Sequence, residues 1–324
     1  MKEARKNEIM GRRLSIVVPM LNEEENVKDL YNEIEIYSKG LVRKKKISDY
    51  EIIFVNDGSR DGTQRALNEI KENGKKAVKL IEFRRNFGQT AALKAGFGIA
   101  TGDLILTIDG DMQNDPADME KLIDKLNEGF DVVSGWRFQR EDPAGKRIAS
   151  EIMNKLRRKL IGDRLHDYGC SLKIYKRECL KDLQLFGELH RYITAYLYIK
   201  GYRIAEVKVN HRPRRRGVTK YGFGRGVNGI LDLFYLKFWA SFSDRPLHFF
   251  GRIGMYQWVL ALAIAIEQII KAFIISRLTF GPLLALALLL VITGLLFIIF
   301  GFLSEMISRI YYKNESNYSI KNIT

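Results

Sequence analysis

The chain has 324 residues, 46% of them hydrophobic, and a formal net charge of +15. That length allows one large domain or two small ones, and that charge points to anionic partners such as nucleotides, phosphates, nucleic acid or anionic lipid. Two cysteines, Cys170 and Cys179, exclude a disulfide framework and a cysteine metal cluster, and suit a reducing compartment.

Met1–Arg13 is polar and carries no apolar run of the kind a signal peptide needs. The chain then alternates. Leu14–Val18 reads as a strand and Glu23–Ser38 as a helix; Glu51–Val55 is a strand and Asp61–Glu72 a helix. Val78–Phe83 is a strand before a helix at Gln89–Ala100, and Leu104–Ile108 a strand before a helix at Pro116–Glu128. Asp131–Ser134 and Arg203–Val209 add two further strands. This is the pattern of an open parallel α/β sheet, whose ligands bind at the carboxyl ends of the strands. The polar clusters fall at those ends: Pro19 to Glu23 after the first strand, Asn56 to Ser59 after the second, Asp109-Gly110-Asp111 after the fourth.

Asp109 and Asp111 carry the chemistry. Two acids separated by one small residue repel each other and call for a cation. Hard oxygen ligands suit Mg²⁺ or Mn²⁺, with substrate phosphates completing the shell. Gln113 adds a neutral oxygen. Taken alone, the same triplet is also what a solvated acidic turn looks like. Asp115-Pro116 is structural: Asp caps the following helix and Pro takes its first position. No G-x-G-x-x-G follows the first strand and no G-x-x-x-x-G-K-[ST] occurs, which argues against a dinucleotide-binding or P-loop enzyme. Phosphates must then be held by the metal and by basic side chains. Arg137, Arg140, Lys146 and Arg147 follow the fifth strand, and a basic run, His211 to Lys220, precedes Gly222, Gly224 and Gly226, a segment suited to closing over a nucleotide. The same run could be a solvated or lipid-facing surface. No nucleic-acid module accompanies the charge, so nucleic acid is not an expected partner.

Gly229–Phe242 reads as an amphipathic helix in a membrane interface. Two apolar spans follow, at 253–275 and 283–304, each long enough to cross a hydrocarbon core of about 30 Å. Glu267 and Lys271 lie four residues apart and can pair on one helix face. Arg245, His248 and Arg252 flank the first span, and Arg309 and Lys313 follow the second, so the positive-inside rule makes the domain cytoplasmic. The expected division is a cytoplasmic α/β domain at 1–228, an interfacial segment at 229–248, a transmembrane hairpin at 249–305 and a cytoplasmic tail at 306–324.

These residues together resemble family 2 glycosyltransferases of the GT-A fold. More narrowly, they resemble the polyprenyl-phosphate sugar synthases, the dolichyl-phosphate mannose synthase type with two C-terminal transmembrane helices. The carrying residues are Val18 to Glu23, Val55 to Thr63, Arg85 to Gly88, Asp109 to Gln113, and Arg214 with Gly217 to Lys220. The family often has Tyr at the position of Leu21, Leu at that of Met112 and Ser at that of Thr219. The resemblance implies a membrane-bound, metal-dependent enzyme that moves a hexose from GDP-mannose or UDP-glucose onto a polyprenyl or dolichyl phosphate. It implies that Pro19, Leu21, Glu23, Val55 and Asp57 line the nucleotide, with Asp109, Gly110 and Asp111 beside it. Asp109, Asp111 and Gln113 would hold the metal; Arg214 and Lys220 would reach the donor phosphates; Arg137, Lys146, Arg147 and Ser150 would meet the lipid phosphate. Asp109, Asp111, Arg214 and Lys220 would thus be the catalytic set. Asp167 stands where the family has an acid before a glycine-containing turn.

A nucleoside diphosphate gains charge as it leaves, so fixed cations help most in the transition state. A lipid phosphate has a second pKa of about 6 and is a nucleophile at neutral pH without a general base. A single displacement would invert the anomeric centre. The expected partners are a nucleotide sugar, the lipid phosphate and a bilayer, in a multi-pass protein of the cell membrane, and the reading leaves room for a homo-oligomer. A processive polysaccharide synthase, a protein O-glycosyltransferase and a non-catalytic membrane scaffold with a transferase-like domain are the competing readings.

Overall fold

The computed structural model describes residues 11–72, 77–138, 165–181, 189–213, 245–275 and 281–311, with isolated positions between 155 and 162, at 183 and 187, and between 234 and 242. The chain divides into two compact units, Met1–Leu233 and Phe234–Thr324.

In the first unit, seven strands among the described residues form one sheet: β1 (Arg13–Met20), β2 (Asp49–Asn56), β3 (Val78–Glu82), β4 (Leu104–Thr107), β5 (Val132–Arg137), β6 (Lys173–Lys176) and β7 (Ile204–Val209). Their order is β3-β2-β1-β4-β6-β5-β7. β1 pairs in parallel with β2 and β4, and β2 with β3. Ile16, Val17 and Val18 on β1 and Ile52 to Val55 on β2 are fully buried, which is what a continuous apolar run becomes when helices cover both faces. Helix α1 (Val27–Arg43) buries Val27, Leu30, Tyr31, Ile34 and Leu41, one apolar stripe at helical spacing. Helices α2 (Thr63–Glu72), α3 (Gln89–Ile99) and α4 (Met119–Asn127) complete the covering, and a short α5 (Ile193–Ile199) precedes β7. Asp115 accepts a hydrogen bond from the Ala117 N–H, and Pro116 begins the turn that leads into α4, as the sequence predicts.

The sheet is mixed, where the sequence predicts only parallel strands. β6 lies between β4 and β5 and runs antiparallel to both. Its sequence, Lys-Ile-Tyr-Lys, is four residues with lysine at each end, and nothing in such a short stretch announces a central strand. Because it runs backwards, its entry, residues 165–172, arrives at the carboxyl edge of the parallel strands.

The amino edge of the sheet holds a buried acid. Glu51 is 1% exposed and accepts from the Ser15 hydroxyl at 2.6 Å and from the Thr101 N–H at 2.7 Å, and Lys79 pairs with it at 2.8 Å.

In the second unit, α6 (Pro246–Ile275) and α7 (Pro282–Tyr311) are 30 residues each, about 45 Å long, and apolar enough to cross a membrane. They run antiparallel and approach through small residues. A Cβ on Gly254 would lie 2.6 Å from the Gly294 carbonyl oxygen, and one on Gly301 would lie 2.9 Å from Leu247. Trp258 donates its indole N–H to the Val291 carbonyl at 3.0 Å. Glu267 and Lys271 pair at 2.6 Å, as their spacing predicts. Of the amphipathic segment at 229–242, residues 234, 235, 237, 238, 241 and 242 are described, and each is helical.

Candidate active site

Parallel strands end on one side, so the loops after β1, β2 and β4 share an edge. Pro19 lies opposite Val55 in the β1–β2 register, and the Asp57 N–H donates to the Met20 carbonyl at 2.8 Å. The loops after β1 and β2 are then stitched together. Asn22 donates its N–H to the Ser59 hydroxyl at 2.9 Å and accepts from the Arg60 N–H at 2.8 Å. The Glu23 N–H donates to the Thr63 hydroxyl, and Glu24 accepts from the Gly62 N–H, both at 2.9 Å. Asp57 is buried and grips the next loop, accepting from the N–H groups of Phe87 at 2.7 Å and Gly88 at 2.9 Å. Burial raises its pKa against the pull of those two bonds. Gly58 holds a φ of +67°, and a Cβ there would meet the Arg85 backbone at 2.3 Å. Gly58, Ser59, Arg60, Arg84, Arg85 and Asn86 line a basic groove beside Asp57.

The acid pair follows β4 and abuts the end of β1. A Cβ on Gly110 would lie 2.4 Å from the Met20 sulfur and 3.2 Å from the Pro19 carbonyl oxygen, so a larger residue there would need the Met20 side chain to move. Asp109 accepts from the Gln89 side-chain amide at 2.7 Å, from the first residue of α3. Asp111 accepts from the Gln113 N–H at 3.2 Å. Burial first, and the Asp111 charge second, push the Asp109 carboxyl up to about 6, against the pull of Ser171, Arg137 and Lys173. An ionised pair in this setting is under-compensated. Among the described residues no third His, Cys, Asp or Glu joins the two acids in a metal-sized group. Two carboxylates are a donor set that Mg²⁺ or Mn²⁺ accepts, because these ions keep waters and share substrate phosphates.

Cations lie behind the pair. Lys173, on β6, is 3% exposed and stands between Thr107 and Ser134 in the strand register. Its ammonium donates to the Tyr168 carbonyl at 3.1 Å, and burial draws its pKa down to about 8. Arg137, at the end of β5, is held by Asp167 through Nε at 2.7 Å and Nη2 at 2.9 Å. Burial works against the Arg137 charge, and Asp167 outweighs it. The exit of β7 is tied to the same edge. Arg212 donates its N–H to the Gln113 carbonyl at 2.8 Å, and its side chain reaches Glu33 at 2.7 Å and Asp115 at 2.8 Å. The basic run of the sequence thus begins from an anchored residue.

Of the site residues expected from the sequence, Pro19, Leu21, Glu23, Val55, Asp57, Asp109, Gly110, Asp111 and Gln113 fall at the carboxyl ends of β1, β2 and β4. Arg137 ends β5, two strands from β4. Lys146, Arg147, Ser150, Arg214 and Lys220 lie outside the described residues.

The Glycosyl transferase family 2 model matches residues 15–184, more than half of the chain and nearly the whole sheet. The chain belongs to glycosyl transferase family 2. It is therefore a glycosyltransferase, and its sheet is the nucleotide-sugar domain of the GT-A type. The dodecaprenyl-phosphate galacturonate synthase of Rhizobium johnstonii is similar to this glycosyltransferase at 37% identity, over 97% of the chain and 94% of the relative. Among solved structures, glucosyl-3-phosphoglycerate synthase from Mycobacterium tuberculosis with Mn²⁺ and UDP-glucose matches with a TM-score of 0.53 at 20% identity, over 73% of this chain and 83% of that one. The same enzyme with Mg²⁺ and UDP gives a TM-score of 0.51 at 20% identity, over 72% and 83%. These two likenesses show the fold.

Three groups that shape this glycosyltransferase's site escape the sequence reading. Gln89 is one of many polar residues at helix starts, and only the fold aims it at Asp109. Lys173 opens a four-residue strand with no periodic signal, so nothing in the sequence marks it as buried. Ser171, whose carbonyl accepts from the Thr107 hydroxyl at 2.6 Å and whose hydroxyl accepts from Asn114 at 2.8 Å, has no local signal.

Proposed function

We propose that this chain transfers a hexose from a nucleoside-diphosphate sugar to the phosphate of a polyprenyl or dolichyl phosphate, inverting the anomeric centre in one displacement. The observation that carries the reading is the end-to-end likeness to a dodecaprenyl-phosphate sugar synthase, which spans the sheet domain and the apolar helices together. GDP-mannose and UDP-glucose are the donors drawn from the family resemblance, and the relative's name adds galacturonate as a sugar to test.

Asp109, Asp111 and Gln113 are the residues that would hold Mg²⁺ or Mn²⁺. When bound, such an ion supplies charge neutralisation for the departing diphosphate. The chain's own groups do the rest. Gln89 keeps the Asp109 carboxylate turned toward the edge. Pro19, Leu21, Glu23, Val55 and Asp57 receive the base and ribose. Arg214 and Lys220 reach the donor phosphates. Arg137, with Lys146, Arg147 and Ser150, receives the acceptor phosphate, whose own charge makes it the nucleophile.

The proposed arrangement is a transferase domain at 1–228 on the cytoplasmic side of the cell membrane, an interfacial segment at 229–248, a hairpin at 249–305 and a cytoplasmic tail. Its two helices are each long enough to span, and basic residues flank the side of the domain. A single cysteine at Thr279 should label from outside the cell, and one in the tail should not.

The deciding experiment offers the purified protein GDP-mannose, UDP-glucose and a nucleotide-linked galacturonate, each with a long-chain polyprenyl phosphate, with and without chelator. A lipid-linked sugar formed only with divalent cation is the expected product. Transfer to a soluble sugar in preference to the lipid phosphate, or activity in excess chelator, would overturn the reading.

A further inference from the structure

Arg137 is bound from one side. Its Nε and Nη2 form a side-on fork with the two oxygens of Asp167, and its backbone N–H also donates to Asp167, at 3.2 Å. Both side chains are nearly enclosed, Arg137 at 14% and Asp167 at 9% exposed. Asp167 is itself braced. Its second contact is the Gly169 N–H, which donates to Oδ1 at 3.0 Å. Its backbone N–H donates to Glu206 at 2.9 Å, and the preceding His166 N–H donates to the same carboxylate at 2.8 Å. Glu206 sits on β7, the strand beside β5, so the brace runs from strand to turn to carboxylate to guanidinium. Gly169 completes the cradle, because a Cβ there would lie 2.7 Å from the Arg137 Nη2.

A guanidinium has two edges that can grip an oxyanion bidentately, the Nε–Nη2 side and the Nη1–Nη2 end. The fork to Asp167 takes the side edge. The Nη1–Nη2 end is the edge that Asp167 does not engage as a fork.

We propose that Asp167 is a positioning residue for the acceptor: with Glu206 behind it and Gly169 giving room, it fixes Arg137 so that the Nη1–Nη2 edge meets the lipid phosphate. This rests on the assignment of Arg137 to that phosphate. It separates Asp167 from a proton-accepting role, since a fully ionised phosphate needs no base and a carboxylate locked to an arginine is a poor one.

The test is a mutant cycle on the full-length protein with polyprenyl phosphate in detergent micelles and the donor found active. Asp167→Asn keeps the shape and removes the charge. It should raise KM for the lipid phosphate about tenfold with KM for the nucleotide sugar unchanged, and in an Arg137→Ala background it should change it less than about twofold further. Gly169→Ala leaves both charged groups intact and needs only the guanidinium to shift. It should raise the same KM while melting within a few degrees of the wild type, and it carries the test if Asp167→Asn does not fold. An Asp167→Asn loss confined to kcat, or one that persists undiminished in Arg137→Ala, would overturn the positioning role alone. If Arg137→Ala leaves the acceptor KM unchanged, the phosphate assignment itself falls, and the proposal with it.

Discussion

Two acids at opposite edges of one sheet, Glu51 and Asp109, carry opposite shifts. Burial raises both. At Glu51 hydrogen bonds from Lys79, Ser15 and Thr101 more than reverse it, and the carboxyl ends at about 2, below its ordinary 4.5. At Asp109 the neighbour is another acid, and the carboxyl ends at about 6, above its ordinary 3.8. Residue type and sheet position do not separate them; what completes their shells does. A buried acid whose partners are all in the protein holds the fold. One whose compensation is incomplete marks, on the proposed function, the edge where a cation and a substrate would be received.

The largest effect that tests this contrast is at the acid pair. Asp111→Asn should lower transfer by about a thousandfold or more and weaken nucleotide-sugar binding in Mn²⁺, measured by product formation and calorimetry. Wild-type activity in that variant would erase the difference between the two edges.

Glu51→Gln should act on the other side of the contrast. Loss of the charge leaves Lys79 and the Thr101 donors short of a partner, and denaturant unfolding of the isolated sheet domain or the full chain should show about 1–3 kcal/mol less stability. Turnover per folded enzyme should be unchanged.

The pH dependence should have two slopes of opposite sign. Glu51 is depressed on folding, so its contribution is full above about 4.5 and is lost as pH falls toward about 2. Asp109 is raised, so the folded state holds more protons than the unfolded between about 4 and about 6. Its penalty therefore grows as pH rises through that window and is fully present above it. Mn²⁺ should relieve that penalty. It should raise the melting temperature by several degrees at pH 7.5 and by much less at pH 5. An equal shift at both values would mean that Asp109 is not among the ligands.

The smallest effect is at Lys79, which is 39% exposed where it meets Glu51. Lys79→Met should cost about 1 kcal/mol or less, because water screens the exposed partner. A larger loss would show that Glu51 depends on this charge more than on its buried hydroxyl and backbone donors.

The parallel strands were legible because a strand covered on both faces must be apolar throughout, as in Ile52 to Val55. The acid pair was legible because its residues lie two apart in sequence. β6 was not, since four residues with lysine at each end carry no periodic signal, and burial of Lys173 is imposed by β4 and β5 on either side. The partner of Arg137 was not legible either. Asp167 lies 30 positions away, and which acid meets which arginine is settled only by the strand order.

That order acts as a ruler. β6 lies between β4 and β5, so the strand that leads into the acid pair and the strand that ends in Arg137 never touch. Two inter-strand steps of about 4.8 Å separate them, roughly 9.6 Å across the sheet. Side-chain choice cannot tune that span, because it is set by backbone hydrogen bonds. A residue can move along its strand in steps of one pleat, but its distance across the sheet changes only by a whole strand. The sheet thus sets the coarse backbone spacing between the two strands, and side-chain length and the loops after β4 set the finer distance between the acid pair and the Arg137 guanidinium.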